Sequence, residues 1–147
     1  MARPARSRAL PLAAVALSIL LVLGSVADAV EPADHDAMRT VVDRQIEAFR
    51  ADDFDRAFAM ASPALKALFG SPTAFSAMVR QGYGPVYRPR RYTFGASRDG
   101  GTGPELSVLI EDQAGQDWTA IYSFEQQPDG TWAVSGCRLV KTPELAA

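Results

Sequence analysis

All four tyrosines and both tryptophans lie in the second half of this 147-residue chain, which also contains a basic segment with Arg80, Arg88, Arg90, Arg91 and Arg98. A buried tyrosine or tryptophan keeps one polar atom for a hydrogen-bond partner, and an arginine can grip a carboxylate or a phosphate. Inward-facing aromatic positions beside a basic segment therefore predict a small-molecule pocket, in which Arg88 or Arg90 would hold any anionic end of the ligand. The predicted ligand-binding residues are Tyr83, Tyr87, Arg88, Arg90, Tyr92, Trp118, Tyr122 and Trp132.

The same residues also fit a purely structural interpretation. Tyr83 and Tyr87 can pack a helical layer against a sheet, as most buried aromatic residues do. No acidic residue lies between Asp55 and Asp99, so the arginines in this interval can instead form ion pairs with acids on the outer face of neighbouring strands. The sequence leaves both interpretations open.

Groups suited to acid–base catalysis are scarce. Such catalysis needs a side chain whose pKa lies near the ambient pH, and the only histidine, His35, falls in a polar segment before the first predicted helix. Asp112 is the one acid that the alternation of residues along a predicted strand places on the inner face of the sheet, and it stands at the end of that strand. A small isomerase, dehydratase or hydrolase would use Asp112 with a tyrosine, and the other interpretation of Asp112 is a solvated turn residue. We predict no catalytic residue.

Composition argues against several classes of site. One histidine and one cysteine provide no zinc-ligand spacing, and no calcium-loop pattern surrounds Asp52, Asp53 and Asp55, which are expected to end one helix and cap the next. No phosphate loop or dinucleotide fingerprint occurs. We therefore predict no metal and no cofactor, and the net charge of −2 argues against nucleic acid as a partner.

The N-terminal segment has the three parts of a secretory signal peptide. Arg3, Arg6 and Arg8 precede an apolar run over residues 9–23, and Ala27-Asp28-Ala29 offers small residues at the cleavage site. The run is shorter than the about 20 residues that a membrane span needs. We predict a signal peptide over residues 1–29 and an exported protein, periplasmic or secreted, without membrane contact after cleavage.

Residues 30–147 are predicted to form one domain of ordinary size. Cleavage would remove three arginines and one aspartate, and the resulting charge of about −4 is too mild to name a partner. The single cysteine, Cys137, excludes an intramolecular disulfide. A buried thiol and a disulfide between two chains both stay open.

Helical periodicity and capping signals cover the first half of this domain. An apolar stripe begins at Ala37 and predicts a long amphipathic helix. Ser62-Pro63 and Ser71-Pro72 each combine an N-cap residue with a proline at the first helical position, and Gly70 and Gly82 end these two segments. The pattern predicts short helices packed at angles.

The segment Gly82–Pro89 separates the helical half from the strand half. Gly82 is expected to take a left-handed conformation after the last helix. Pro85 and Pro89 fix their own φ and push the preceding residues toward extended conformations. We predict a rigid, extended connection.

An alternation with a period of two residues predicts four antiparallel strands after this connection. The expected inner face includes Tyr92, Phe94 and Ala96 on the first strand and Trp132, Val134 and Gly136 on the fourth. Because Gly136 has no side chain, it marks a bulge or a close approach to the backbone. A bulge would turn Cys137 inward, whereas a regular strand would leave it outside.

The sequence of these helical segments, of the connection and of the strands resembles a family of small exported bacterial proteins that is known only as a domain of unknown function. The likeness covers nearly all of residues 30–147, and its most specific part is the Gly-Tyr-Gly-Pro-Val-Tyr-Arg-Pro sequence from Gly82 to Pro89. The family in turn resembles the nuclear-transport-factor-like, SnoaL-like superfamily. That resemblance implies an α+β cone of helices against a curved four-stranded antiparallel sheet, with a pocket at the open end. It implies no single activity, because the superfamily contains both enzymes and binding domains.

The function that these observations favour is a non-enzymatic binding or accessory domain of the cell envelope. Its partner would be a small molecule, an anionic ligand or an envelope protein. Two alternatives stay open at this point: a small enzyme that uses Asp112, and a structural homodimer that pairs through its sheet.

Overall fold

A computed structural model describes residues 29–143 of the chain as five helices and one four-stranded sheet. The predicted signal peptide, apart from Ala29, lies outside the described residues. In chain order the elements are α1 (Pro32–Arg50), α2 (Phe54–Ala59), α3 (Pro63–Phe69), α4 (Pro72–Gly82), α5 (Gly84–Tyr87), β1 (Arg91–Asp99), β2 (Pro104–Glu111), β3 (Asp117–Gln126) and β4 (Trp132–Lys141).

The long helix α1 packs its apolar stripe on the inner face of the sheet, where it contacts β2 and β4. Its stripe is fully buried at Met38, Val42 and Ile46, as the periodicity predicts. The helix begins at Pro32, five residues before the predicted start, because a proline fits the first turn without losing a hydrogen bond. His35 is therefore helical, and its Nδ1 lies 2.8 Å from Oγ of Ser97 on β1.

Both serine–proline signals start helices as predicted. The hydroxyl of Ser62 accepts a hydrogen bond from Leu65 N at 3.3 Å and starts α3. The hydroxyl of Ser71 accepts one from Ala74 N at 3.1 Å and starts α4. Between them Gly70 adopts a φ of 75°, the left-handed conformation that ends a helix.

The connection after α4 is helical, so the predicted extended conformation is wrong. Gly82 is the last residue of α4 and has no left-handed φ, and Gly84–Tyr87 form the short helix α5. The carbonyl of Tyr83 accepts hydrogen bonds from the backbone N–H groups of Val86 and Tyr87. Pro85 fits this first turn, since Gly84 lacks the Cβ with which a following proline would clash. Burial of Val86, 3 % exposed, fixes the turn against the core.

The sheet is an antiparallel meander in the order β1-β2-β3-β4, which confirms the predicted α+β class. Tyr122 of β3 pairs with Leu106 of β2, and Ala120 pairs with Val108. These side chains are buried on the inner face, with no more than 1 % of each exposed. The alternation of apolar and polar residues therefore predicted the inner face of β2 and β3 correctly.

Two bulges change the parity of the edge strands and curve the sheet. The register of β1 shifts between Phe94 and Ser97, which places Ser97 on the inner face and leaves Ala96 exposed, contrary to the sequence prediction. The register of β4 shifts beside Gly136, so that Cys137 pairs with Tyr122. The predicted alternative in which a bulge turns Cys137 inward is the one that the structure adopts.

An isolated backbone bridge joins the helical half to the last strand. Ala61 forms an isolated parallel bridge with Val134 of β4. Ser62 N donates to the carbonyl of Val134 at 2.8 Å, and Val134 N donates to the carbonyl of Met60 at 2.9 Å. This bridge anchors the start of α3 to the sheet.

Candidate functional site

A cavity of about 350 Å³ lies between helices α1, α3 and α4 and the inner face of β3 and β4. This volume falls at the lower end of the range found for ligand pockets. Its wall is predominantly apolar and includes Phe49, Leu65, Phe69, Phe75, Val79 and Val134.

Helix α3 forms the mouth of the cavity. None of its residues is fully buried, although Leu65, Leu68 and Phe69 all line the cavity. Leu68 is 73 % exposed, the largest exposure among the large apolar side chains of the described residues. Leu68 extends the apolar surface of Leu65 and Phe69 to the opening, and contiguous exposed apolar surface marks ligand-binding grooves.

Four side chains bring polar atoms to this apolar wall: Gln45, Tyr83, Tyr122 and Cys137. Gln45 is 3 % exposed, and its Nε2 donates to the carbonyl of Ala57 at 3.2 Å. The hydroxyl of Tyr83 donates to the carbonyl of Cys137 at 3.0 Å. The hydroxyl of Tyr122 is buried without any hydrogen-bond partner among the described residues, and such a group costs about 1–3 kcal/mol.

Burial keeps the ionisable groups of the wall in their neutral forms. Loss of solvent raises the pKa of Tyr122 well above its usual value, and the nearby Cys137 adds to this effect. Burial likewise raises the pKa of the Cys137 thiol to about 12 and the pKa of Tyr83 above 10.0. The wall therefore presents neutral hydrogen-bonding groups at physiological pH.

The structure brings two of the eight predicted binding residues to this cavity, Tyr83 and Tyr122. The other six lie outside its wall. Tyr92, Trp118 and Trp132 stand near the strand ends, where their polar atoms donate to carboxylates. The acceptors are Asp43 for Tyr92, Asp112 for Trp118 and Asp34 for Trp132.

Tyr87 at the end of α5 and the following Arg88 are not part of the cavity wall, and both bind Asp52. The Tyr87 hydroxyl and Nη2 of Arg88 donate to different carboxylate oxygens of Asp52. The guanidinium of Arg80 stacks over the rings of Phe54 and Tyr87. This cluster joins the turn after α1 to the segment that precedes β1.

The basic segment is paired with acids, as the structural interpretation of the arginines predicted. Arg90 and Arg91 both contact Glu111. Arg98 and Arg138 both contact Glu105. These ion pairs lie on exposed arginine side chains, so each contributes little to stability.

Asp112 is a turn residue, as its second interpretation predicted. Its carboxylate accepts hydrogen bonds from Nε1 of Trp118 at 2.8 Å and from the backbone N–H groups of Ala114 and Gln116 at 2.9 Å. The Trp118 hydrogen bond, followed by that of Gln116, lowers the pKa of Asp112 below 3.8. A catalytic acid at neutral pH would need a shift in the opposite direction.

Sequence reasoning missed Gln45 as a cavity residue. Gln45 lies three positions after Val42 and four before Phe49, so it falls on the buried stripe of α1. A polar residue at an apolar position of a helix is the signal that could have identified it.

Residues 29–143 provide neither a metal-binding cluster nor a helix suited to span a membrane. No group of three or more histidine, cysteine, aspartate or glutamate residues is placed there to hold a metal ion. Within the same range, no helix is both long and apolar enough to cross a membrane.

Comparison with known proteins identifies a family for nearly the whole described region. The family model of a domain of unknown function, DUF4864, matches residues 31–147. No match was found among curated proteins or among solved structures. The family match covers all five helices and all four strands of the fold. This chain therefore belongs to the DUF4864 family.

Proposed function

We propose that this chain is an exported, non-enzymatic binding domain that holds a small, mostly apolar molecule in the cavity beneath α3. The observation that carries the proposal is the apolar cavity of about 350 Å³ with the exposed Leu68 at its mouth. Burial of apolar ligand surface is the main source of affinity in such a site.

The ligand in this proposal is uncharged. None of the described residues that line the cavity is lysine, arginine, aspartate or glutamate. A carboxylate or an ammonium group would lose its hydration there without gaining a partner. The proposal therefore narrows the sequence-based expectation of a small-molecule or anionic ligand to a neutral molecule.

Binding rather than catalysis is supported by the protonation state of the wall. The thiol of Cys137 and the hydroxyls of Tyr83 and Tyr122 are all held neutral by burial. A nucleophile or a general base at this position would require a lowered pKa.

Export and the nuclear-transport-factor-like likeness belong to the same proposal. The charged, apolar and small-residue parts of residues 1–29 support export. The likeness is supported by a long helix on the inner face of a curved antiparallel sheet, with a cavity at one end. The predicted export, together with a cavity suited to apolar compounds, supports a role in the cell envelope.

The test is binding of a neutral apolar fluorophore, N-phenyl-1-naphthylamine, to the purified protein and to two leucine-to-tryptophan variants. Leu65 lines the cavity, so Leu65→Trp should fill it and weaken binding at least tenfold. Leu109→Trp is the matched control, because Leu109 is 52 % exposed on the outer sheet face. Equal affinity of the two variants, or no saturable binding by the parent, would show that the cavity is not the binding site.

A further inference from the structure

The amide of Gln45 has a fixed orientation in the cavity wall. Its Nε2 donates to the Ala57 carbonyl at 3.2 Å, and a flipped amide would place two oxygens against each other. The carbonyl oxygen Oε1 is therefore turned away from Ala57, and no described residue donates a hydrogen bond to it. Gln45 is 3 % exposed and lines the cavity, so Oε1 is an acceptor available to a bound molecule.

Tyr122 offers the complementary group. Its side chain is 1 % exposed and lines the same cavity. The phenolic hydroxyl has no hydrogen-bond partner among the described residues. Because burial holds this phenol in its protonated form, it can donate a hydrogen bond. Native structures pair nearly all buried polar groups, so an unpartnered one needs an explanation.

Gln45 and Tyr122 therefore each contribute one polar atom without a described partner to the residues that line this apolar cavity, one an acceptor and one a donor. A neutral hydroxyl group matches both, since it donates one hydrogen bond and accepts another. A ligand of pure hydrocarbon would leave both protein groups unpaired, and a carboxylate would offer no donor to Gln45.

We infer that Gln45 and Tyr122 select a neutral, mostly apolar ligand that carries a hydroxyl group, such as an alcohol or a phenol. This inference rests on the proposed function, because it names the ligand class of the same cavity. In the complex, the ligand hydroxyl donates to Oε1 of Gln45, and the Tyr122 hydroxyl donates to a ligand oxygen. The apolar remainder contacts Phe75, Val79 and Leu68.

The experiment compares 2-naphthol with 2-methylnaphthalene, two neutral probes of nearly equal size and shape that differ in the hydroxyl group. Affinities are measured by fluorescence titration of the purified protein at neutral pH, where 2-naphthol is protonated. We expect the protein to prefer 2-naphthol by about fivefold to tenfold, the effect of one net hydrogen bond.

Two variants test the residues behind this preference. Gln45→Met keeps the length of the side chain and removes its polar atoms, while Ala57 retains the hydrogen bond from Met60 N. Tyr122→Phe removes one oxygen from a buried ring. Each variant should lose the preference for 2-naphthol and keep its affinity for 2-methylnaphthalene. Tyr122→Phe keeps the test decisive if Gln45→Met does not fold.

Tyr92→Phe is the matched control, since the Tyr92 hydroxyl donates to Asp43 outside the cavity. It should retain the full preference. The inference is overturned if the parent binds both probes equally, if Tyr122→Phe or a folded Gln45→Met keeps the preference, or if Tyr92→Phe loses it. Failure of both probes to bind the parent would instead contradict the proposed function itself.

Discussion

Nη2 of Arg88 lies 2.8 Å from Oδ2 of Asp52. The second carboxylate oxygen of Asp52 accepts the hydroxyl of Tyr87. Asp52 is also the one non-glycine residue in the described part of the chain with a positive φ, 52°. The turn after α1 therefore has two unusual features at Asp52. Its backbone has a positive φ, and its carboxylate binds Tyr87 and Arg88 from the segment before β1.

The first prediction separates these two features of Asp52. Asp52→Gly and Asp52→Ala both remove the carboxylate, but only glycine adopts a positive φ without steric cost. Both variants should melt below the parent, and Asp52→Ala should melt about 4 °C below Asp52→Gly. Thermal unfolding followed by circular dichroism measures the difference. Equal melting temperatures for the two variants would mean that the backbone of this turn relaxes.

The second prediction concerns acid stability and Asp112. Hydrogen bonds from Trp118 and Gln116 lower the pKa of folded Asp112 below 3.8, so the unfolded chain takes up a proton first as the pH falls. The stabilisation is complete above about pH 5 and is lost progressively as the pH falls through 3.8 toward the lower folded pKa. Asp112→Asn and Trp118→Phe should therefore reduce the loss of melting temperature between pH 6 and pH 3. A parent-like pH profile in both variants would contradict this assignment.

The third prediction concerns the reactivity of Cys137. A rise of the thiol pKa from 9.0 to about 12 lowers the thiolate fraction at neutral pH roughly a thousandfold. Labelling by 5,5′-dithiobis(2-nitrobenzoate) should be slow in the folded protein and fast in urea. An apolar ligand that fills the cavity should slow it further, because Cys137 lines the wall. Rapid labelling of the folded protein would show that the thiol is accessible.

The fourth prediction compares two glycines. A Cβ on Gly103, which has a φ of 144°, would lie 2.7 Å from the carbonyl oxygen of Phe124. A Cβ on Gly136 would lie 3.9 Å from the side chain of Ser123, an ordinary contact. Gly103→Ala should reduce the free energy of unfolding by about 2 kcal/mol, and Gly136→Ala should change it little. Urea denaturation of both variants measures this, and the opposite order would contradict the structure.

The elements that follow from local periodicity were predictable from sequence. The stripe of α1 and the serine–proline starts of α3 and α4 use signals that lie within a few residues of each other. The central strands β2 and β3 are buried on one face, so their alternation is unambiguous.

The connection through Pro85 was not predictable in the same way. A proline after a glycine fits both an extended segment and the first turn of a helix, and the local sequence does not distinguish the two. Burial of Val86 in the core decides for the helix. That contact depends on the arrangement of the whole domain.

The candidate site was only partly predictable. The alternation along a strand shows which face of the sheet a side chain lies on, but it does not show whether that side chain reaches the cavity. Trp118 and Trp132 have inward parity but stand near strand ends, where they donate hydrogen bonds to Asp112 and Asp34 and do not line the cavity. Cys137 enters the wall only through the bulge beside Gly136. Gly136 indicated an irregular position in the sequence, but both a bulge and a regular strand were compatible with a glycine there.

The bridge between Ala61 and Val134 has a consequence for the order of folding. Each strand of the sheet pairs with its neighbour along the chain, and such hairpins form within microseconds because their loops are short. The bridge joins the helical half to the last strand, so its formation requires closure of a loop that contains most of the domain. A chain shortened before Val134 would retain the sequences of the β1–β2 and β2–β3 hairpins, but it would lose the backbone bridge to α3 and the part of the cavity wall that β4 provides. We therefore expect ligand binding to be the last property that this protein acquires during folding.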